Sequence, residues 1–161
     1  MKILMVCLGN ICRSPLAEGI LKHKVQQQHL DWVIDSAGTQ NDHIGEAPHV
    51  LSQKVSLLHG IDISQQRARK FVATDVKNFD KIYAMADDVL HYIQQITGKQ
   101  YDAKKVCLFM DELYHHKQID VPDPWYGAED GYHKVFDMLD KTCDAIIKKY
   151  TINSQLSLNQ L

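Results

Sequence analysis

Residues 2–21 read KILMVCLGNICRSPLAEGIL, and they contain a strand pattern, a short loop and the start of a helix. Residues 2–6 are mostly apolar and β-prone, which predicts a buried strand. Ser14 is a residue type that often caps helices, and Pro15 suits the first helical position, where its missing N–H costs nothing. This order predicts that residues 7–14 form a loop at the N-terminus of a helix.

The loop carries a thiol and a guanidinium at a spacing that suits an oxyanion. Backbone N–H groups and the helix dipole favour a negative charge at such a helix start. Arg13 adds a planar fork that can bind two oxygens at once. The same positive field favours the thiolate form of Cys7, which is the nucleophilic form. We therefore expect the loop to bind a phosphoryl group, with further contacts from Leu8, Gly9, Asn10, Ile11, Cys12 and Ser14.

Cys7 also has a simpler interpretation as a packing residue, because cysteine is among the most buried residue types. A cysteine and an arginine alone at this spacing would favour that interpretation. Here a preceding strand, a loop glycine and a Ser-Pro helix opening accompany them, and together these features favour a nucleophile.

The bulk composition limits the possible functions. The chain has 161 residues, enough for one domain with its own hydrophobic core. A formal net charge of −2 argues against nucleic-acid binding, and no apolar stretch approaches the roughly 20 residues that span a bilayer. The 4 cysteines and 9 histidines show no zinc-type spacing, so we expect no metal and no cofactor. A thiolate that must stay reduced favours the cytoplasm.

The rest of the chain alternates between strand and helix patterns. We predict strands at 2–7, 32–38, 81–85 and 106–109, and helices at 15–28, 48–59, 88–97 and about 132–150. The alternation predicts a single-domain α/β fold with three α/β/α layers, a four-stranded parallel sheet and the phosphate loop after the first strand. Ligands of such sheets bind beyond the C-terminal strand ends. We expect the domain to cover residues 1–150, and the polar residues 151–161 to form a frayed tail.

Taken together, these features resemble the low-molecular-weight protein tyrosine phosphatases, whose signature is C-x5-R-S-P directly after the first strand. Three more segments carry the resemblance: DSAGT at 35–39, DKIYAM at 80–85 and VPDPWYG at 121–127. The resemblance implies a metal-free phosphomonoesterase of the cytoplasm. Its substrates would be tyrosine-phosphorylated proteins or peptides, with phosphate and other oxyanions as inhibitors, and it would need neither nucleic acid nor membrane.

The resemblance also implies the roles of the central residues. Cys7 would form a phosphocysteine, Arg13 would bind the phosphoryl group, and Asp123 would be the general acid. On composition alone Asp123 is typical of an ordinary Asp-Pro turn, and Asp120 is the alternative acid.

Further residues are implied to support the nucleophile. Ser14 would donate a hydrogen bond to the Cys7 sulfur, although a helix cap is an alternative use of its hydroxyl. Asn10 and Ser36 would shape the loop by hydrogen bonding. Cys12 would join Cys7 in a reversible disulfide when the nucleophile is oxidised.

The rim of the site follows the family pattern only in part. Trp125 and Tyr126 would form a wall for a flat aromatic leaving group. Ala86 stands where many members carry a carboxylate that orients the arginine, so either Asp87 substitutes for it or the arginine is held otherwise. Asp42 stands where several relatives carry an aromatic residue, which predicts one polar wall.

Two other functions stay open. An arsenate reductase shares the fold and the C-x5-R loop, but it needs two more cysteines after the third strand, and residues 84–105 contain none. A non-catalytic phosphopeptide-binding module would keep the loop without turnover. The intact Cys7, Arg13 and Asp123 argue against that module.

Overall fold

A computed structural model describes the backbone of residues 1–158 and the side chains of residues 1–152. Its strands are β1 (Lys2–Cys7), β2 (Val33–Gly38), β3 (Lys81–Ala84) and β4 (Val106–Leu108). Its α-helices are α1 (Arg13–Gln27), α2 (Val50–Leu58), α3 (Asp75–Asn78), α4 (Asp87–Thr97) and α5 (Glu129–Leu158). Short 3-10 turns lie at Gly98–Gln100, Phe109–Glu112 and Pro124–Tyr126.

The strands form one parallel sheet in the order β2-β1-β3-β4, as the alternating pattern predicted. Successive residues of β1 point to opposite faces and are buried on both, which explains its continuous apolar run. Ile3 and Met5 pack in a core shared with α1 and α5. Leu4 and Val6 pack in a second core shared with α4. The three-layer α/β/α prediction is therefore confirmed.

The sheet order places the loop that follows β1 at a switch in strand order. β1 lies between β2 and β3, so the chain passes to one side of β1 and later to the other. A crevice forms at the C-terminal end of a strand with this position, because the two connections diverge there. Cys7 is the last residue of β1 and lies beside Gly38, the last residue of β2. The topology thus places the thiol at the C-terminal ends of the strands, where a ligand was expected to bind.

The helix ends agree with the sequence in part. Gly60 follows α2 with φ +76°, and Gly98 ends α4 with φ +50°, positive values of φ that glycine adopts without a steric penalty. The prediction for Ser14 as helix cap is wrong. α1 begins at Arg13 with Cys12 as its cap, so Ser14 lies inside the first turn and its hydroxyl is used elsewhere.

The last helix is longer than expected. α5 begins at Glu129 and continues to Leu158, beyond the helix end expected at about residue 150, and the frayed tail stays a prediction. The Thr151 hydroxyl donates to the Ile147 carbonyl at 2.8 Å, as in the interior of a helix. Residues 159–161 lie outside the described residues, and a domain boundary at residue 150 stays a prediction.

Candidate active site

The loop after β1 is held from the outside by the rest of the chain. Four of its carbonyl oxygens accept hydrogen bonds from other segments. The carbonyls of Cys7, Leu8, Ile11 and Cys12 are bonded, respectively, by the N–H groups of Thr39, Gln40 and His49 and by the Ser52 hydroxyl, at 2.7–3.2 Å. Because these carbonyl oxygens are hydrogen-bonded to surrounding segments, the N–H groups of the loop peptides remain available to bind an anion.

Two backbone positions make this tight loop possible. Asn10 has φ +57°, a left-handed conformation that asparagine tolerates better than most residues. A Cβ atom at Gly38 would lie 2.7 Å from the Leu8 carbonyl oxygen and 3.0 Å from the Asn10 nitrogen. Gly38 is therefore required by close approach of the loop, a role that its place at a strand end does not reveal.

The Cys7 sulfur lies on the floor of a cavity and is surrounded by hydrogen-bonding groups. Its Sγ atom is 3.0 Å from the Ser14 hydroxyl and accepts from the Asn10 N–H at 3.3 Å. Leu8, Gly9, Ile11, Cys12 and Arg13 line the same cavity. The structure thus brings the predicted loop residues together around one thiol.

Arg13 is almost completely buried and oriented by the segment that precedes α5. Its Nη1 atom donates to the Val121 carbonyl at 3.1 Å, and its Nη2 atom donates to Asp123 Oδ2 at 3.3 Å. Asp87 does not substitute for the missing carboxylate, because its side chain lies beside His91 and, within the described residues, has no bond to Arg13. The arginine is thus held by other groups, the second of the two alternatives.

Asp123 faces the cavity that contains the sulfur. One carboxylate oxygen accepts from Arg13, and the other accepts from the Trp125 N–H at 3.1 Å, so the carboxylate caps the short turn that follows it. Its side chain is 34% exposed, which leaves it accessible to a leaving group. Asp120 instead accepts from the Asp87 N–H at 2.9 Å and lines a neighbouring cleft. Asp123 is therefore the better placed acid.

The rim contains an aromatic residue that the sequence did not single out. Trp125 and Tyr126 line the cavity as expected, and His43 lines it with them. The ring centroids of His43 and Trp125 are 5.5 Å apart, so the two rings form one continuous wall. The expectation of a polar wall at Asp42 needs correction, since Asp42 is exposed and its neighbour supplies a ring.

His43 is fixed in place from two directions. Its Nδ1 atom lies 2.9 Å from a carboxylate oxygen of Glu46. Its ring lies so close to Gly9 that a Cβ atom there would be 3.0 Å from the ring Cδ2 atom. The rim is thus built against the loop, and a glycine at position 9 makes room for it.

Cys12 is buried beside the cavity. Its sulfur is 3.7 Å from the Tyr132 hydroxyl. Burial raises the pKa of the Cys12 thiol to about 12, and the negative charges of Cys7 and Asp123 act in the same direction. Cys12 is therefore a thiol at neutral pH, which leaves Cys7 as the reactive sulfur of this cavity.

Ser36 and Asn10 connect the loop to the interior of α1. The Asn10 side-chain amide donates to Ser14 at 2.8 Å and to Ser36 at 2.9 Å, and the Ser36 hydroxyl donates to the carboxylate of Glu18. Glu18 is buried and was not predicted as a site residue. It lies in the buried first half of α1, and no local pattern indicates its contact with β2.

The part of the chain that the structure describes contains neither a cluster of metal-binding side chains nor a membrane-spanning helix. No group of three or more His, Cys, Asp or Glu residues within it is placed to hold a metal ion. No helix among the described residues is long and apolar enough to cross a membrane.

Comparisons with known proteins agree with this geometry. A family model described as low molecular weight phosphotyrosine protein phosphatase matches residues 2–157. The phosphatase of that name from Schizosaccharomyces pombe is 38% identical over 134 residues, covering 81% of this chain and 85% of its own. The human protein of the same name is 32% identical over 149 residues, covering 91% and 94%. A solved structure of a protein tyrosine phosphatase from Entamoeba histolytica, with Hepes in the active site, is 38% identical with a TM-score of 0.87, covering 96% and 99%.

Proposed function

Because the chain belongs to the low molecular weight phosphotyrosine protein phosphatase family, we propose that it hydrolyses phosphotyrosine in proteins or peptides through a phosphocysteine on Cys7. One observation carries the proposal: the Cys7 sulfur, the buried Arg13 guanidinium and the Asp123 carboxylate line a single cavity. The reaction uses a nucleophile, a cation and an acid, and the cavity holds one of each.

In the first step the loop N–H groups and Arg13 bind the oxygens of the phosphoryl group, where charge accumulates in the transition state. The thiolate of Cys7 attacks phosphorus, and a sulfur–phosphorus bond forms as the bond to the tyrosine oxygen breaks. Asp123 donates its proton to that oxygen, so that tyrosine leaves as a neutral phenol. Leu8, Gly9, Asn10, Ile11 and Cys12 provide the loop that encloses the anion.

In the second step water attacks the phosphocysteine. Asp123, now a carboxylate, accepts a proton from the water, and the sulfur–phosphorus bond breaks to release inorganic phosphate and the Cys7 thiolate. Ser14 donates to the departing sulfur and stabilises its negative charge. The cycle returns every group to its starting state and consumes one water.

The depth and the walls of the cavity support phosphotyrosine over phosphoserine. Cys7 is only 2% exposed, so a short side chain would not bring its phosphate to the sulfur. Trp125 and Tyr126 on one side, with His43 continuing the wall, offer ring faces to an aromatic leaving group. A free thiolate is best preserved in a reducing compartment, so we place the protein in the cytoplasm. Phosphate and similar oxyanions would inhibit it by occupying the loop.

Arsenate reduction would require thiols that can approach Cys7 in turn. The other described cysteines are Cys12, Cys107 and Cys143. Cys107 lies on β4, and burial raises its thiol pKa to about 11. Cys143 is fully buried in α5, where desolvation also raises its thiol pKa. These placements favour the phosphatase over the reductase.

The test is hydrolysis of p-nitrophenyl phosphate and of a phosphotyrosine peptide by the wild type and by Cys7→Ser. Turnover by the wild type, lost in Cys7→Ser and kept in the matched control Cys107→Ser, is the expected result. A phosphoserine peptide should be a poor substrate. Full activity of Cys7→Ser would overturn the proposal. Phosphopeptide binding without any turnover would point to the non-catalytic module, and thiol-dependent arsenate reduction would point to the reductase.

A further inference from the structure

Glu18 is a buried carboxylate for which the reaction itself has no use. It is 4% exposed and lies on α1 against β2. It accepts hydrogen bonds from the Ser36 hydroxyl and from the ammonium group of Lys22, one turn further along the helix. Burying a charge is costly unless it is paired and hydrogen-bonded, and here both partners are present.

Fixed donors and acceptors determine the direction of the hydrogen bonds between Glu18 and the loop. The Arg69 backbone N–H can only donate, and it bonds the Asn10 Oδ1 atom at 2.9 Å. The Asn10 NH2 group must therefore be the end that faces Ser14 and Ser36. An ionised Glu18 can only accept, so the Ser36 hydroxyl gives its proton to Glu18 and turns its lone pairs to Asn10.

These directions leave the Ser14 hydroxyl proton two possible acceptors. Its oxygen accepts from Asn10, so its own proton points either to the Cys7 sulfur at 3.0 Å or to the more distant Ala37 carbonyl at 3.5 Å. A hydroxyl that donates to sulfur stabilises a thiolate, whereas one that accepts from S–H stabilises a thiol. The direction of this one bond therefore affects how much nucleophile is present.

We infer that Glu18 is a positioning residue for the Cys7 thiolate, because its charge fixes the Ser36 hydroxyl as a donor and thereby aims the Ser14 proton at the sulfur through Asn10. The inference rests on the proposed function, in which this thiolate is the nucleophile. Without the charge the Ser36 proton is no longer held on Glu18, and the Ser36 lone pairs can turn away from the Asn10 NH2 group. That amide then loses one of its two acceptors and no longer holds Ser14 in its orientation.

Coulomb's law alone predicts that loss of the Glu18 charge favours the Cys7 thiolate, the opposite of the effect inferred here. The direction of the measured change therefore tests the inference. Charged groups from three elements line the cleft beside Glu18: Lys22 from α1, Asp35 from β2 and Arg67 from the segment between α2 and α3. Asp35 is already engaged by Arg69 at 2.9 Å. In the cavity of Cys7 the charged groups are Arg13 and Asp123, and the titratable side chains of Cys12 and His43 line it as well. Removing a negative charge from this interior should by Coulomb's law favour the thiolate, whereas removing a relay should disfavour it.

The experiment measures the rate of Cys7 alkylation by iodoacetamide against pH, followed by mass spectrometry, in the full-length protein. For Glu18→Gln we expect the midpoint to move to higher pH, with alkylation roughly tenfold or more slower below the midpoint, as expected for one lost hydrogen bond to a charged group. The matched control is Asp62→Asn, which removes an exposed carboxylate bonded to the Ser64 N–H and should leave the midpoint in place.

A second set of variants tests whether the effect of Glu18 passes through Ser36 and Ser14. Ser36→Ala removes the link and keeps the Glu18 charge, so it should move the midpoint in the same direction, and it carries the test if Glu18→Gln does not fold. In a Ser14→Ala background the Glu18→Gln change should no longer raise the midpoint, because no hydroxyl remains to be aimed. An unchanged or lower midpoint, or an equal shift without Ser14, overturns the inference.

The same proteins separate this inference from the proposed function. If the wild type turns over p-nitrophenyl phosphate and Cys7→Ser does not, the proposed function holds, whatever the alkylation midpoints show. A midpoint that fails to rise under those conditions refutes the role of Glu18 alone. Turnover that survives in Cys7→Ser refutes the proposed function itself.

Discussion

Arg13 donates a hydrogen bond to Asp123 across 3.3 Å, although the two residues are 110 positions apart in the chain. The proposed phosphate ligand and the proposed acid are thus in contact before any substrate arrives. A phosphoryl dianion entering the loop competes with Asp123 for the same guanidinium. Substrate binding and the position of the acid are therefore coupled in this protein, where Ala86 offers the arginine no carboxylate.

Asp123→Asn should slow hydrolysis of poor leaving groups by roughly 10²–10⁴-fold, the usual contribution of a positioned general acid. Hydrolysis of p-nitrophenyl phosphate should fall less, because its leaving oxygen needs little protonation. The measurement is kcat for a series of aryl phosphates of graded leaving-group acidity. Asp120→Asn is the control, since Asp120 lies in the neighbouring cleft. An equal loss in both variants would remove the assignment of Asp123.

Arg13→Lys should weaken inhibition by inorganic phosphate roughly tenfold or more, although the positive charge is kept. Lysine lacks the planar fork, and a hydrogen bond to a charged group contributes about 1.5–3 kcal/mol. The inhibition constant of phosphate against p-nitrophenyl phosphate reports the loss, with thermal unfolding as a check of folding. An unchanged constant would show that the loop amides alone bind the anion.

Iodoacetamide at pH 8 should label Cys7 first and Cys12 scarcely at all. The pKa of Cys12 is raised to about 12, so the thiol keeps its proton at every pH well below that value. Cys12 is therefore almost entirely a protonated thiol at pH 8. Peptide mapping by mass spectrometry measures both sites, and added phosphate should protect Cys7. Preferential labelling of Cys12 would contradict the proposed reactivity.

Peroxide inactivation should be reversible in the wild type and largely irreversible in Cys12→Ser. Peroxide converts Cys7 to a sulfenic acid, which condenses with the Cys12 thiol to give a disulfide and water, and added dithiol then restores both thiols. Without Cys12 the sulfenic acid is open to further oxidation. Activity after thiol treatment is the readout, and Cys107→Ser is the matched control. Equal recovery in all three proteins would end the idea.

His43→Ala should raise KM for a phosphotyrosine peptide roughly twofold to tenfold with little change in kcat, because aromatic contacts contribute about 0.5–1.5 kcal/mol. His43→Phe should keep most of the affinity, since it retains a ring against Trp125. Inhibition by inorganic phosphate, which has no ring, should be the same in both variants. A large fall in kcat would instead implicate His43 in the chemistry.

The strand, loop and helix at the start of the chain follow from local rules. β1 occupies the predicted residues 2–7, because a run of buried apolar residues needs no distant partner to be recognised. The place of Ser14 does not follow from such rules. Its type favours a helix cap, but Asn10, in a left-handed conformation, directs its hydroxyl to the sulfur side. Cap preferences describe one helix end, whereas the partner of this hydroxyl depends on the whole loop.

Glu18 and His43 were missed for the same physical reason. Glu18 acquires its role from Ser36 on another element, a contact that appears only when β2 packs against α1. His43 reaches the rim because its loop is clipped to Ala68 by two backbone hydrogen bonds, from Gly45 at 2.8 Å and to Glu46 at 2.9 Å. Neither contact leaves a pattern in the neighbouring sequence.

The outward anchoring of the loop carbonyls means that residues 2–21 contain the signature but not the binding site. A peptide of that sequence would lack Thr39, Gln40, His49 and Ser52, whose bonds give the loop its shape. The loop therefore binds oxyanions only in the folded protein, and an ion that binds there stabilises the whole domain against unfolding. Phosphate at a hundred times its dissociation constant would raise the free energy of unfolding by about 2.7 kcal/mol.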